Sequence, residues 1–315
     1  MDRIKIGISS CLLGNEVRYN GGHKRDRFIT DTMSNYCEFV PVCPEVECGL
    51  PVPRESMRLV GDIDAPRLVT TKTKVDHTDR MQRWIQRRLE TLADEDLVAY
   101  VFKTKSPSSG LRSIKVYAEN GNVASYKGQG MFAKAFTERF PDIPVEDEGR
   151  LHDPGIRENF IETIFVLQRW REGPRNGGPG KLVEFHSRHK YTLMARGQEP
   201  LRKMGKIVAR IGSGDLQTLR DEYFSLLLHA LTLKKTVKKN YNVLLHIGGY
   251  FKNDLEAVER NELKELSDRY YNSYVPLIVP LTLINHYARK YDKSYLKDQW
   301  YLNPHPVELG LLNHV

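Results

Sequence analysis

The chain has 315 residues, 40% of them apolar, and a formal net charge of +8, which gives length for a sizeable core and for two domains. No apolar run approaches the roughly 20 residues of a membrane helix, and Asp2 and Arg3 lead into a strand where a signal peptide would be apolar, so a cytoplasmic protein without a membrane partner is expected. Four cysteines are too few for a disulfide scaffold, and in a reducing compartment they point to metal or catalysis.

The opening Ile4 to Ser10 alternates apolar and small residues as a first buried strand does, and Cys11 follows at its end. The polar loop from Gly14 to Lys24 offers Arg18 and Lys24 to an anion, or is simply a basic surface loop; it matches no Walker or dinucleotide fingerprint. Residues 27–36 read as a helix. Glu38 to Val42 is a short strand punctuated by Pro41, and it delivers Cys43 at its carboxyl end, where open parallel sheets place ligands. The stretch Cys43-Pro44-Glu45-Val46-Glu47-Cys48 then sets two thiols around two carboxylates. Pro51 and Pro53 keep the next segment extended, so Arg54 projects from a stiff backbone.

From Thr78 to Leu92, Met81, Trp84, Ile85 and Leu89 recur at helical spacing beside Arg80, Arg83, Arg87 and Arg88, an amphipathic helix with a basic outer face. Leu97 to Phe102 is a buried strand whose end supplies a lysine and hydroxyls, Lys103 to Gly110; the same string also reads as a plain Ser/Gly turn. Strand and helix signals alternate to about Phe140. Residues 1–150 are therefore expected to form an α/β domain, a mostly parallel sheet flanked by helices.

Asp153 is an N-cap candidate before Pro154, and Ile156, Phe160, Ile164, Leu167 and Trp170 follow at helical intervals. Gly173 to Gly180 interrupts that pattern, so residues 151–180 read as a connecting helix and a Gly/Pro-rich linker, with the loop as hinge or exposed join. Beyond it nearly everything reads as helix, over 182–195, 201–211, 214–231, 236–247, 254–272 and 280–290, which makes residues 181–315 a C-terminal all-α domain. The charge concentrates here: residues 1–150 carry 23 Lys and Arg against 22 Asp and Glu, residues 151–315 carry 25 against 18. Arg188, His189, Lys190, Arg202, Lys203 and Lys206 make repeated basic patches near tyrosines, residue types that contact phosphates and stack on unpaired bases. Basic helix faces are more often merely solvated, and tyrosines at helical intervals more often core.

Three thiolates are the common minimum for an iron–sulfur cluster with one iron left free, and the compact Cys-x-x-Cys pairs typical of zinc are absent. Cys37 precedes the strand at the end opposite Cys43, roughly 20 Å away at about 3.3 Å per residue, and reads as a small buried hydrophobe. On spacing alone, a cluster and plain structural cysteines are evenly weighted.

The combination of Ser10-Cys11-Leu12-Leu13-Gly14, Val17-Arg18-Tyr19-Asn20-Gly21, Cys43-Pro44-Glu45 with Gly49-Leu50-Pro51-Val52-Pro53-Arg54, and Lys105-Ser106-Pro107-Ser108-Ser109-Gly110 resembles the TudS family of thiouracil desulfidases over most of residues 1–150. Phe185-His186-Ser187-Arg188-His189-Lys190 and Asn303-Pro304-His305-Pro306 resemble the helical domain fused to it in RudS-type tRNA 4-thiouridine desulfidases. The resemblance implies a [4Fe-4S] cluster with one iron not ligated by protein, held in part by Cys11 and Cys43. It implies non-redox conversion of 4-thiouridine in tRNA to uridine with release of hydrosulfide to an acceptor it does not name. Glu45 matches the family's acid/base carboxylate and Ser106 its catalytic hydroxyl.

The third ligand departs from the family pattern, since most relatives carry cysteine where this chain has Ser109, while Cys48 stands where many have an apolar or small residue. Cys48 is therefore expected to replace the lost thiol, with Ser109 as an oxygen ligand the alternative. Arg18, Arg54, Lys105, Ser108 and Ser109 are expected at the substrate or its phosphate, and the basic helical domain at the tRNA backbone. Two other readings stay open: desulfuration of free thiolated bases or nucleotides, and a non-catalytic iron–sulfur protein that binds RNA or senses redox state.

Overall fold

The computed structural model describes residues 3–314, in two units that meet along the sequence at Phe160 and Ile161. The first contains β1 (Ile4–Ser9), β2 (Cys37–Val42), α1 (Pro44–Glu47), β3 (Met57–Val60), β4 (Arg67–Thr70), α2 (Thr78–Ala93), β5 (Ala99–Phe102), β6 (Ile114–Tyr117), β7 (Val123–Gly128), α3 (Met131–Arg139), β8 (Val145–Asp147) and the start of α4 (Pro154–Glu172). One sheet has the order β2-β1-β5-β8 and is parallel throughout, as the sequence pattern predicts for this domain.

The chain steps from β1 outward to β2 and then crosses to the other side of β1 for β5 and β8. The strand order thus reverses at β1, and the crevice above the carboxyl ends at such a reversal is where α/β sheets bind ligands. Both faces of β1 are covered, which suits its apolar run. Gly7 is required in it: it lies opposite Tyr100 of β5, and a Cβ there would sit 2.2 Å from the Tyr100 ring. The ring uses that space to stack on Phe102 at 4.1 Å between centroids and to meet Phe136 of α3 at 4.7 Å. Trp84 of α2 closes the cluster against Phe132. Aromatic pairs of this kind add about 0.5–1.5 kcal/mol each beyond the area they bury.

A second sheet, β4-β3-β6-β7, is mixed, with β3 parallel to β6 and antiparallel to β4. Residues 27–36 do not form the expected α-helix; a π turn over Phe28–Thr32 and a 3-10 turn over Met33–Asn35 replace it. The side chains of Thr30 and Ser34 donate to the carbonyls of Asp26 and Thr30, local bonds that compete with a regular ladder.

The second unit holds the rest of α4 and then α5 (Pro179–Arg188), α6 (Lys190–Arg196), α7 (Gln198–Val208), α8 (Leu216–Thr232), α9 (Val237–Gly248), α10 (Ala257–Tyr271), α11 (Ile278–Lys290) and α12 (Ser294–Lys297). It is helical as read from the sequence. The Gly173–Gly180 stretch lies inside this unit, running from the end of α4 into the first residues of α5, whereas the division between units falls within α4. The single helix read over 182–195 is broken at His189, whose ring turns inward to stack on Phe185 at 4.0 Å, with Nδ1 2.8 Å from the Phe185 carbonyl.

Trp170 stacks on Tyr223 of α8 at 5.5 Å, and the apolar faces of α9, α10 and α11 close on Phe251, Leu281 and Ile284. A charged knot is buried among them: Glu162 accepts from Arg196 at 2.8 Å and from Lys235 at 2.7 Å. Among the described residues, no helix is long and apolar enough to cross a membrane.

Candidate active site

Three strand ends build one cavity. β1 stops at Ser9 and turns at once into a 3-10 turn, Ser10–Leu13, that carries Cys11. β2 stops at Val42, and Cys43 is the residue that opens α1, with Pro44 at the first helical position, where a missing N–H costs nothing. β5 stops at Phe102 and runs into the loop 103–110. Together with the 17–24 loop and the segment after the Val52–Pro53 cis bond, they enclose about 370 Å³. Cys11, Cys43, Glu45, Ser106 and Ser109 line it, and Arg18, Lys24, Arg54, Lys103 and Lys105 give it a basic rim.

A hydroxyl chain backs the carboxylate. Ser108 donates to Glu45 Oε1 at 2.6 Å and lies 3.0 Å from Ser106 Oγ. Ser106 Oγ in turn accepts the backbone N–H groups of Ser108 (3.3 Å) and Ser109 (3.1 Å). On its other oxygen, Glu45 meets Cys43 Sγ at 3.5 Å and the Arg54 guanidinium at 3.8 Å. Arg54 also donates to the carbonyls of Val17 (3.0 Å) and Pro51 (3.3 Å). It is therefore a clamp on Glu45 and the 17–24 loop as much as a wall of the cavity.

The serine loop is held from behind by α3. Its carbonyls at Pro107, Ser108 and Gly110 accept the N–H groups of Met131, Phe132 and Gly130, donors that a helix start leaves without internal partners. Contact is so close that a Cβ on Gly130 would lie 2.6 Å from the Ser108 backbone. Beside it, Lys103 pairs with Glu148, which also accepts the Thr104 N–H at 2.7 Å, and the Lys103 N–H donates to Ser9 Oγ at 2.9 Å, tying the ends of β1 and β5 together.

Burial pushes the Cys11 thiol up to about 11, Lys103 opposing, and the Cys43 thiol up to about 12, with Glu45 adding to the rise. Each is a thiol until an electropositive partner displaces the proton.

Two expectations are corrected. Cys48 is not among the residues that line the cavity: its Sγ donates to the Glu45 carbonyl at 3.2 Å, and the side chain packs against the hydrophobic core. The trio Cys11, Cys43 and Cys48 is thus not assembled, and among the described residues no three Cys, His, Asp or Glu side chains converge as metal ligands. Ser109, the alternative, is on the wall. Ser108 is fully buried and not among the residues that line the cavity; its hydroxyl is turned to Glu45.

Cys37 is buried at the amino end of β2, far from Cys43 as expected. Ser9, Tyr19, Met57, Lys103 and Thr104 also line the cavity and were not singled out. Ser9 and Lys103 bracket strand ends already recognised, which was the available signal.

The basic residues expected at RNA lie in the second unit, on or beside α5 to α7. His189 is another correction, being 1% exposed with its ring in the core. Arg188 is half-buried, its guanidinium 4.6 Å from the Trp300 ring and paired with Glu184. Lys190 is half-buried, and Arg202, Lys203 and Lys206 are exposed, Lys203 pairing with Glu199 at 2.8 Å.

Comparison with known proteins supplies the family. The model of the 2-thiouracil desulfurase family matches residues 6–148, and a family described as a protein of unknown function (DUF1722) matches residues 190–306. The uncharacterized protein YbgA of Escherichia coli K12 is 32% identical over 156 residues, 49% of this chain and 92% of its own length. The uncharacterized protein YbbK of Bacillus subtilis 168 is 27% identical over 153 residues, 47% of this chain and 98% of its own. A solved structure of the [4Fe-4S]-dependent thiouracil desulfidase TudS is 28% identical, covering 49% of this chain and 97% of that one at a TM-score of 0.40. The cavity at the three strand ends lies within the residues matched by the first family model, and the chain belongs to the 2-thiouracil desulfurase family, with a DUF1722 region following in its helical unit.

Proposed function

We propose that the chain is an iron–sulfur-dependent desulfidase that converts 4-thiouridine in tRNA to uridine and hydrosulfide without net redox change. The observation that carries this reading is the convergence of Cys11, Cys43, Glu45 and Ser106 on one cavity at the carboxyl ends of β1, β2 and β5. The donors suit a soft metal cluster in two thiols, with the hydroxyl of Ser109 in the third position. Cys11 and Cys43 would hold the cluster and Ser109 would supply the weaker third contact. Bound there, it contributes a soft Lewis-acidic iron toward the thiocarbonyl sulfur.

The rest of the reaction belongs to the chain's own groups. Water adds its oxygen to C4, the C4–S bond breaks, and the sulfur leaves as hydrosulfide with one proton. Glu45 accepts a proton from the attacking water, held for it by Ser108 and Arg54. Ser106, joined to Ser108, faces the cavity and orients the base or returns a proton to the departing sulfur. Arg18, Lys24 and Lys105 on the rim attract the phosphates that flank the base.

A base in folded tRNA must be turned out of its stack to enter such a cavity. The excess of positive charge over residues 151–315 favours the helical unit as the grip on the backbone. Turnover of 4-thiouracil, its ribonucleotide and thiolated tRNA by the reconstituted chain tests the substrate, with the highest kcat/KM expected for tRNA. Equal values for all three favour free thiolated nucleotides, and RNA binding without hydrosulfide release favours a non-catalytic protein.

A further inference from the structure

The helical unit contains a second built site, unrelated to the cysteines. A cavity of about 210 Å³ lies beside the end of α4, lined among others by Arg169, Lys181, Glu184, Arg188, His189 and Trp300. It has room for a group well beyond one water, whose share of the liquid is about 30 Å³. Arg169 is the anomaly. It is 8% exposed, its guanidinium lies 3.7 Å over the Trp300 ring, and one nitrogen donates to the Pro304 carbonyl. Its Nε and other terminal nitrogen are buried with no hydrogen-bond partner.

Glu162 and Glu172 act on it through their charge, but among the described residues no carboxylate is in hydrogen-bond or ion-pair contact with it. Glu162 is taken by Arg196 and Lys235, Glu172 by Gln168 at 2.9 Å, and Glu184 by Lys181 and Arg188. Buried guanidinium N–H groups left without a hydrogen-bond acceptor are costly. Burial lowers Arg169 to about 9, so the charge persists at neutral pH. A phosphate or carboxylate oxyanion is the partner a guanidinium fork is shaped to take.

His189 narrows the choice. Its Nδ1 lies against the Phe185 carbonyl and so carries the proton, and burial pushes the imidazole down to about 3, which leaves Nε2 as a bare acceptor with no partner. The fitting ligand therefore presents an anionic oxygen to Arg169 and Arg188 and a hydroxyl to His189. A ribose phosphate carries both, and its 2′-hydroxyl is what distinguishes RNA from DNA.

We propose that this cavity is a binding site for a phosphate group carried on ribose. The inference does not rest on the desulfidase reading, since no residue of the cysteine cavity takes part. The test measures binding of four probes at constant ionic strength: inorganic phosphate, a ribonucleoside monophosphate, a short RNA and the DNA of the same sequence. Native chain is compared with Arg169→Met and with Arg188→Gln, the latter at a partly exposed side chain, and the folding of each variant is checked by circular dichroism and thermal denaturation.

Each substitution is expected to weaken phosphate and monophosphate binding at least tenfold, with RNA bound more tightly than DNA by the native chain and the difference lost in His189→Phe. If RNA affinity falls in parallel and phosphate competes with RNA, the phosphate belongs to an RNA strand; if RNA affinity is unchanged while monophosphate binding is lost, the source is a free nucleotide, and the site stands in both cases. Phosphate and monophosphate binding that is absent from the native chain, or the same in folded Arg188→Gln as in native, overturns the proposal.

Discussion

Replacing Ser108 by alanine isolates the support of Glu45 from the cavity wall itself. The substitution deletes one hydroxyl from a fully buried position, removing the 2.6 Å bond to Glu45 Oε1 and the 3.0 Å contact with Ser106. A hydrogen bond to a charged group is worth about 1.5–3 kcal/mol. Glu45 keeps Arg54 at 3.8 Å, too long to fix its orientation alone. If that whole amount is expressed at the transition state, kcat falls about 10- to 100-fold, at 1.36 kcal/mol per factor of ten. KM changes little, because Ser108 is not among the residues that line the cavity. The assay is hydrosulfide release from thiolated tRNA by chain reconstituted anaerobically, with iron counted on each sample. A kcat within twofold of native at equal iron content would refute the reasoning, as would a loss wholly explained by missing iron.

Three other outcomes follow from the same geometry. Ser109→Cys is expected to raise the iron and sulfide retained after reconstitution by supplying a third thiolate, whereas Cys48→Ala leaves the count unchanged; a loss of iron in Cys48→Ala returns that residue to the ligand set. Gly130→Ala drives a Cβ into the Ser108 backbone at 2.6 Å and should cost about 1–3 kcal/mol in urea denaturation, with activity falling as the serine loop shifts. For Glu162, burial alone would raise the carboxyl, but the charges of Lys235 and Arg196 outweigh it and hold it at about 2. Its stabilisation is present above the unfolded value of about 4.3 and is lost as pH falls toward 2, so the urea midpoint should drop across that window. Glu162→Ala strands two buried cations, lowers stability by about 3–5 kcal/mol at neutral pH and flattens that part of the pH dependence.

How much of this was legible in the residues depends on whether a feature is local. Cys11, Cys43 and Ser106 were readable because each follows an apolar strand, and parallel strands that share a sheet bring their carboxyl ends together. Cys48 misled because nearness in sequence is not a shared face. One turn of α1 separates it from Cys43, and five residues at 3.6 per turn carry a side chain about 140° round the axis. His189 looked like part of a basic surface run, but the packing of Phe185 and Trp300 turned its ring inward and broke the helix there. The second sheet was invisible for a different reason: β3, β4 and β6 are four residues each, and β3 finds β6 across more than fifty residues of chain. Tertiary pairing, not local pattern, defines such strands.

The account's central claim is that two thiols and a serine-supported carboxylate in one cavity remove sulfur from a thiolated base. The most direct measurement counts hydrosulfide released and uridine formed from thiolated tRNA by the anaerobically reconstituted native chain, by Cys11→Ala, by Cys43→Ala and by Glu45→Gln. The account predicts one hydrosulfide per uridine in the native chain, loss of both iron and product in the two cysteine variants, and retained iron without product in Glu45→Gln. Undiminished product from Glu45→Gln, or from either cysteine variant, would contradict it.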